Sequence, residues 1–340
     1  PRSFKENNIE NCMDTKAKLF DIDYDKHPGY LGKIVSPLNR LIFRIEFLVV
    51  LIYAFFKIFR RKKFPTDKHD FCAPETQEAK HIYKHFNADG FMALNDQLVM
   101  NVTKNALETF VVELENNLKE IPADSRQFDQ CVKGLHRKEQ REIFDAVESA
   151  FYLNKSVKAI FSGYFGVQMP KLVYMQIHIN QSDDKYVFKH DDSDIFDDEM
   201  NFFHVDTNLN TLKAMVYLTD VSNHNQGAFE YVVASHKLYN KKDFFRRKIV
   251  RILGAYRRDE VGKNKLLSLP KTFRLTNDFS DYSINSPLGT YIYSRKVCCL
   301  SDQPIIIFDP LGIHRGGRVK ESKRIAIQLV FCPDDQSWRA

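Results

Sequence analysis

The sequence predicts an α+β domain in which helices come first and a sandwich of strands follows. Two amphipathic stretches before residue 166, and a series of β-branched and aromatic runs from Leu172 onward, predict this order. Thr103 to Ile121 carries Leu107, Phe110, Val111 and Leu114 at helical spacing, with Thr103 available as N-cap and Pro122 just past the end. Lys138 to Phe165 reads as helical until Gly163 and Gly166 interrupt it. Residues 172 to 179 and 211 to 219 read as strands, and Gly227 to Val233 reads as the neighbour of the second. A last strand starts at Arg324, where alternation places Arg324, Ala326, Gln328 and Val330 on one face. At 340 residues the simple prior is about two domains, but a single sandwich with helical additions reaches this size. The expected organisation is an N-terminal extension over 1–80 and one domain over 81–340, with a basic helical insertion at 237–290.

Two stretches of the chain carry metal-type chemistry. His204-Val205-Asp206 offers an imidazole and a carboxylate at i and i+2, which share a face on a strand. Phe308-Asp-Pro-Leu-Gly-Ile-His314-Arg-Gly-Gly supplies a second imidazole further on. Two histidines and one carboxylate leave positions open on a metal, the arrangement of non-haem Fe(II) oxygenases. The dipeptide spacing alone is weak: among 11 histidines a His-x-Asp arises about once by chance, and a second copy stands at His190-Asp191-Asp192. Context selects between them. His190 lies in a run from Asp183 to Glu199 with eight carboxylates and two lysines, the composition of a solvated loop, whereas a strand follows His204. His178, His224 and His236 are read as core, surface or turn histidines, and neither Gln176 nor His178 is assigned a role.

In this order, Asp89-Gly90-Phe91, His204-x-Asp206, Gly227-Ala-Phe-Glu-Tyr-Val-Val-Ala-Ser235-His236 and His314-Arg-Gly-Gly with Arg324 ten residues on resemble the phytanoyl-CoA dioxygenase family. The resemblance spans roughly Phe86 to Cys332. Phe203 stands where the family often has Trp, and Val233-Ala234 where Pro-Gly is usual. It implies a double-stranded β-helix (jelly roll, cupin-like) with flanking helices. It further implies Fe(II) held by His204, Asp206 and His314, 2-oxoglutarate held by Arg324, and O2 as the oxidant. A guanidinium binds a carboxylate through two parallel N–H···O bonds and keeps its charge at any relevant pH. Ser322 either gives a hydroxyl to the same carboxylate or belongs to a turn. With the carboxylate ligand present, the implied reaction is hydroxylation of an unactivated C–H bond, coupled to decarboxylation of 2-oxoglutarate to succinate. A catalytically silent binding or scaffold protein of the same fold is the alternative.

Two basic, apolar segments bear on the partner. Phe47 to Phe56 is ten consecutive apolar residues followed by Lys57, Arg60, Arg61, Lys62 and Lys63. That is too short to span a bilayer, which needs about twenty residues, and it reads either as an interfacial helix or as one packed on the domain. Between Lys237 and Arg274 there are 13 Lys and Arg against three carboxylates, a local balance of +10 in a chain of net +6. Apolar Phe244, Phe245, Ile249, Val250, Ile252 and Leu253 alternate there with basic residues at a helical period. Such a helix lies on an anionic surface, receives an anionic substrate, or is simply solvated. The expected substrate is therefore an anionic lipid or lipid-linked sugar. A soluble phosphorylated molecule or acyl-CoA is the alternative, and nucleic acid is disfavoured because no recognition module is present. Six cysteines without a pairing pattern, and a polar first forty residues, give the expectation of a reducing, cytoplasmic setting, peripheral at the cytoplasmic face of a membrane.

Overall fold

The computed structural model describes residues 76–122, 128–166, 169–181, 203–206, 211–238, 278–279, 287–317 and 319–333, together with the single residues 48, 246 and 249. The expected N-terminal helix, His190 and nearly all of the basic insertion lie outside these residues. No helix among the described residues is long and apolar enough to cross a membrane.

The helices come before most of the strands, as the periodicity predicts, but two short strands lie among them. Helix α1 (Gln77–Asp89) is N-capped by Thr76, whose hydroxyl accepts from Ala79 N at 3.1 Å, and it ends on Gly90 at φ 86°. After strand β1 (Phe91–Leu94) comes helix α2 (Gln97–Lys119), which begins six residues before the expected start. Its cap is Asp96, which accepts from Leu98 N and Val99 N, and Thr103 is instead a buried residue on the inner stripe with Val99, Leu107, Leu114 and Leu118. A carboxylate cap outcompetes an interior threonine because it satisfies two orphan N–H groups at once. A short 3-10 turn (Phe128–Cys131) and strand β2 (Val132–His136) follow. The stretch read as one helix is two, α3 (Arg141–Leu153) and α4 (Lys155–Phe165), broken at Asn154. Asn154 leaves helical geometry to cap α4 through Val157 N at 3.0 Å, and Gly166 closes it at φ 69°. Gly163 does not interrupt the helix. It is where the ring of Tyr83 lies against α4, leaving no room for a Cβ.

The remaining strands are β3 (Lys171–Gln181), β4 (Phe203–His204), β5 (Leu212–Tyr217), β6 (Phe229–Val232), β7 (Asp278–Phe279), β8 (Lys296–Cys299), β9 (Ile305–Phe308), β10 (His314–Gly316) and β11 (Lys323–Cys332), with helix α5 (Pro287–Arg295) before β8. They form two antiparallel sheets, ordered β1-β9-β5-β11-β3-β2 and β7-β4-β10-β6-β8. From β3 to β6 and from β8 to β11, successive strands alternate between the sheets, so the fold is a double-stranded β-helix. One expectation is corrected: β6 is not the neighbour of β5, which lies between β9 and β11. Strands adjacent in sequence usually pair, but from β3 to β6 each connection crosses from one sheet to the other.

Period-two alternation sorts the side chains of the larger sheet. Ile325, Ile327, Leu329 and Phe331 of β11, with Ile177 and Ile179 of β3 and Leu212, Ala214 and Val216 of β5, pack against the helices. Between the sheets, Met215, Tyr217, Ile306, Phe308 and Ala326 meet Phe229 and Tyr231 of the smaller sheet. The back of the smaller sheet is covered by Tyr291 and Ile292 of α5, which pack with Phe203, Val232 and Ile313. Glu148 of α3 anchors the helices. It accepts from Arg137 at 2.5 Å, Lys171 at 3.2 Å and Leu172 N at 2.8 Å. Phe331 sits between Phe151 and Phe161, with ring centroids at 5.3 and 4.8 Å. Phe331→Ala is therefore expected to cost about 3–5 kcal/mol, read from urea unfolding, because a close-packed interface cannot collapse around the void.

Candidate metal centre

The site is built on the central pair of the smaller sheet. His204 and His314 stand directly opposite each other on β4 and β10, with ring centroids 4.4 Å apart. Asp206, just beyond β4, is tied by its backbone N–H to Pro310 O at 2.8 Å. Its Oδ1 lies 4.0 Å from His204 Nε2 and its Oδ2 3.7 Å from His314 Nε2. The three donor atoms all lie within 4.8 Å of one another, and this is the sole such cluster among the described residues.

The turn that delivers His314 is shaped by residues from separate parts of the chain. Asp309 accepts from Leu311 N at 2.9 Å, and Ile313 N donates to Ser235 Oγ at 2.7 Å. Gly312 lies against the Tyr231 ring, where a Cβ would collide, and Tyr231 donates its hydroxyl hydrogen to Asp309 O at 3.0 Å. Gly90 O accepts from Asp309 N at 2.8 Å, and His236 meets Asn87 O at 3.1 Å, so Asp89-Gly90-Phe91 and Ser235-His236 brace this turn from α1. His236 thus holds loops together and lies outside the donor cluster. His224 is exposed.

The His314 tautomer follows from its partner. Its Nδ1 faces Gly312 O at 2.8 Å, and a carbonyl only accepts, so Nδ1 carries the hydrogen and the Nε2 lone pair points at the cluster. Burial lowers the His314 pKa, more than the nearby Asp206 raises it. Burial alone would raise that of Asp206, but Lys213, His314 and His204 outweigh it and hold the carboxyl well below the usual range. Deprotonated donors are what a metal requires. Two imidazole nitrogens and one carboxylate oxygen suit a first-row transition metal. An ion with bonds of about 2.1 Å sits among donors roughly 3 to 4 Å apart, so the residues fit one with small inward shifts. His314 is 3% exposed, while the His204 and Asp206 side chains retain 28% and 21%, so the cluster is reached from one side.

Behind the histidines, the residues on the opposite face also pair. Arg315 stacks on Phe203 at 4.2 Å from its centroid, and its Nε donates to Glu230 at 2.6 Å, a carboxylate that also holds Lys296 at 3.0 Å.

Arg324 is buried at 7% exposure. It begins the inward row of β11, and its guanidinium donates to Gly227 O, to Gly317 O at 3.2 Å and to Asn180 Oδ1 at 2.6 Å. These bonds fix the plane of the fork. Ser322 is placed elsewhere: its side chain is exposed in the turn before β11, at φ 62°, so it does not share the buried surroundings of Arg324.

Two inward residues escaped the sequence reading. Lys213, alone among apolar neighbours on β5, reaches Asp206 Oδ2 at 2.7 Å. Asn180 extends β3 beyond its expected end. Their signal was present as polar residues at strand positions, but Leu212-Lys-Ala-Met-Val-Tyr does not alternate, so its inner face was not legible. His178 lies on the inner face of β3, where burial, then Arg324 and Lys213, push it down to about 3. Its ordinary value is 6.5, so it stays neutral in the fold and its stabilising effect is complete above pH 6.5, then is lost as pH falls toward about 3. His178→Gln is expected to flatten the loss of stability across that window, measured by urea unfolding at stepped pH.

No family model and no curated protein matches the chain. Solved structures of similar shape include the non-haem alpha-ketoglutarate-dependent carbocyclase SnoK from nogalamycin biosynthesis, 15% identical, with a TM-score of 0.40 over 75% of this chain and 83% of that one. HygX from Streptomyces hygroscopicus, with nickel and 2-oxoglutarate bound, is 14% identical, with a TM-score of 0.38 over 76% and 88%. The epimerase SnoN, in complex with Fe3+, alpha-ketoglutarate and a nogalamycin, is 12% identical, with a TM-score of 0.41 over 75% and 83%.

Proposed function

We propose that this protein is an Fe(II)/2-oxoglutarate-dependent dioxygenase that hydroxylates an unactivated C–H bond of an anionic substrate. The observation that carries it is the convergence of His204, Asp206 and His314 in a barrel whose inner face also buries Arg324. His204, Asp206 and His314 would hold iron, which when bound supplies the oxidising power together with O2 and the decarboxylation of 2-oxoglutarate to succinate. Arg324 would take the far carboxylate of 2-oxoglutarate on its fork, oriented by Gly227, Gly317 and Asn180. His178, neutral at working pH, lines the strip of inner face on which the charges of Lys213 and Arg324 both act, and adds no third charge. The interdigitated side chains of the two sheets form a buried apolar core, which would help exclude water from the reacting centre.

The substrate reading rests on the two basic, apolar sequence segments, which suit an anionic lipid or lipid-linked sugar at a cytoplasmic membrane face. A soluble phosphorylated molecule or acyl-CoA is the alternative for the same chemistry. Flotation with anionic vesicles at low salt separates them, since no flotation where screening is weakest removes the membrane version. The chemistry itself is tested by anaerobic titration of the metal-free protein with Fe(II) and then 2-oxoglutarate. A visible charge-transfer band, followed by succinate formation on admitting air, is expected. Failure to bind iron would instead favour a silent binding protein of this fold.

A further inference from the structure

We propose that Lys213 is a positioning residue of the metal centre, holding one oxygen of Asp206 so that the carboxylate offers only its other oxygen to the metal. This rests on the Fe(II)/2-oxoglutarate reading above. Lys213 faces the barrel interior between two helix-facing residues, Leu212 and Ala214. Its cross-strand partners are Phe308 on β9 and Val330 on β11, both fully buried and apolar. The lysine side chain is 12% exposed, and an ammonium there must be compensated. Its compensation is Asp206 Oδ2 at 2.7 Å.

The arithmetic of the coordination sphere makes this pairing matter. Two imidazoles and one carboxylate oxygen would take about three of the roughly six positions of a first-row ion. The remaining positions would be left for the cosubstrate and O2. Asp206 binding through both oxygens would occupy one of those positions, and a carboxylate does bind in either way. An ammonium fixed on one oxygen removes that option without adding a ligand. It also fixes the carboxylate plane, which the neighbouring backbone bond from Asp206 N to Pro310 O, 2.8 Å, does not do alone. Lys213 thereby keeps the positions free that the reaction needs.

The test uses Co(II), whose visible absorption strengthens as coordination number falls, on the full chain with Lys213→Met, Lys213→Gln and Lys213→Arg. The expected result is a changed Co(II) spectrum for Lys213→Met before any 2-oxoglutarate is added, and a 2-oxoglutarate affinity about 10- to 100-fold weaker by calorimetry. Lys213→Arg restores the parent spectrum, because it returns a charged donor. If Lys213→Met does not fold, as judged by circular dichroism, Lys213→Gln decides by the same two readings. An unchanged spectrum with parent affinity overturns the proposal. So does weaker 2-oxoglutarate binding with an unchanged cosubstrate-free spectrum, which would mean direct contact between Lys213 and the cosubstrate. Parent protein that takes up no Co(II) overturns the metal reading itself, and this inference with it.

Discussion

Asp206→Ala is expected to lower Fe(II) affinity by more than 100-fold and to abolish 2-oxoglutarate decarboxylation. Loss of an orienting outer partner alone costs a metal site about 10- to 100-fold, and here a ligand itself is removed. A 100-fold loss corresponds to about 2.7 kcal/mol. The same substitution takes the compensating charge from Lys213, so the metal-free protein should also lose stability, by about 1–3 kcal/mol given that the lysine is 12% exposed. The two effects separate experimentally. Equilibrium dialysis with Fe(II) under anaerobic conditions reads the first, and thermal unfolding in chelator reads the second. Asp206→Asn, which keeps the shape and an oxygen acceptor for Lys213, should recover part of the stability while binding iron poorly. Parent-like iron binding by Asp206→Ala would exclude Asp206 as a ligand.

Arg324→Met is expected to weaken 2-oxoglutarate binding by about 100- to 1,000-fold while leaving Fe(II) affinity close to that of the parent. Two charge-assisted hydrogen bonds at about 1.5–3 kcal/mol each would be lost, against some gain from water. The side chain is buried at 7% exposure and donates to two backbone carbonyls and Asn180. Its removal should therefore also destabilise the fold by roughly 2–4 kcal/mol, because the buried acceptors lose their donor. Arg324→Lys should recover the charge but little of the affinity, since an ammonium cannot reproduce the planar fork. Calorimetry with 2-oxoglutarate on the Co(II)-loaded variants checks both. Weakened iron binding with unchanged 2-oxoglutarate affinity would assign Arg324 a purely structural task.

These residues show why some of the site was legible and some was not. His204, Asp206, His314 and Arg324 were readable because each lies in a short motif whose spacing has chemical meaning and whose flanks read as strands or turns. Lys213 and Asn180 carry no motif, and only the registers of β5 and β3 turn them inward. Ser322 was left between two roles because spacing places it near Arg324 in sequence, whereas its left-handed turn conformation turns it out to solvent. The misplaced start of α2 has a similar cause. Thr103 and Asp96 are both competent caps; Asp96 satisfies two N–H groups, and the tertiary burial of Val99 and Thr103 adds to its advantage.

By itself the sequence determined that helices precede most of the strands, which residues form the inward row of β11 and where metal-type donors stand in short motifs, because these depend on local periodicity and on residue chemistry; it did not reveal β1 and β2 among the helices. Tertiary structure alone decided that β5 and β6 lie in opposite sheets and that His204 meets His314 across β4 and β10. It also decided that a lysine reaches Asp206. Strand pairing and the meeting of side chains distant in the chain are set by how two sheets close over one shared core. No local pattern encodes that closure.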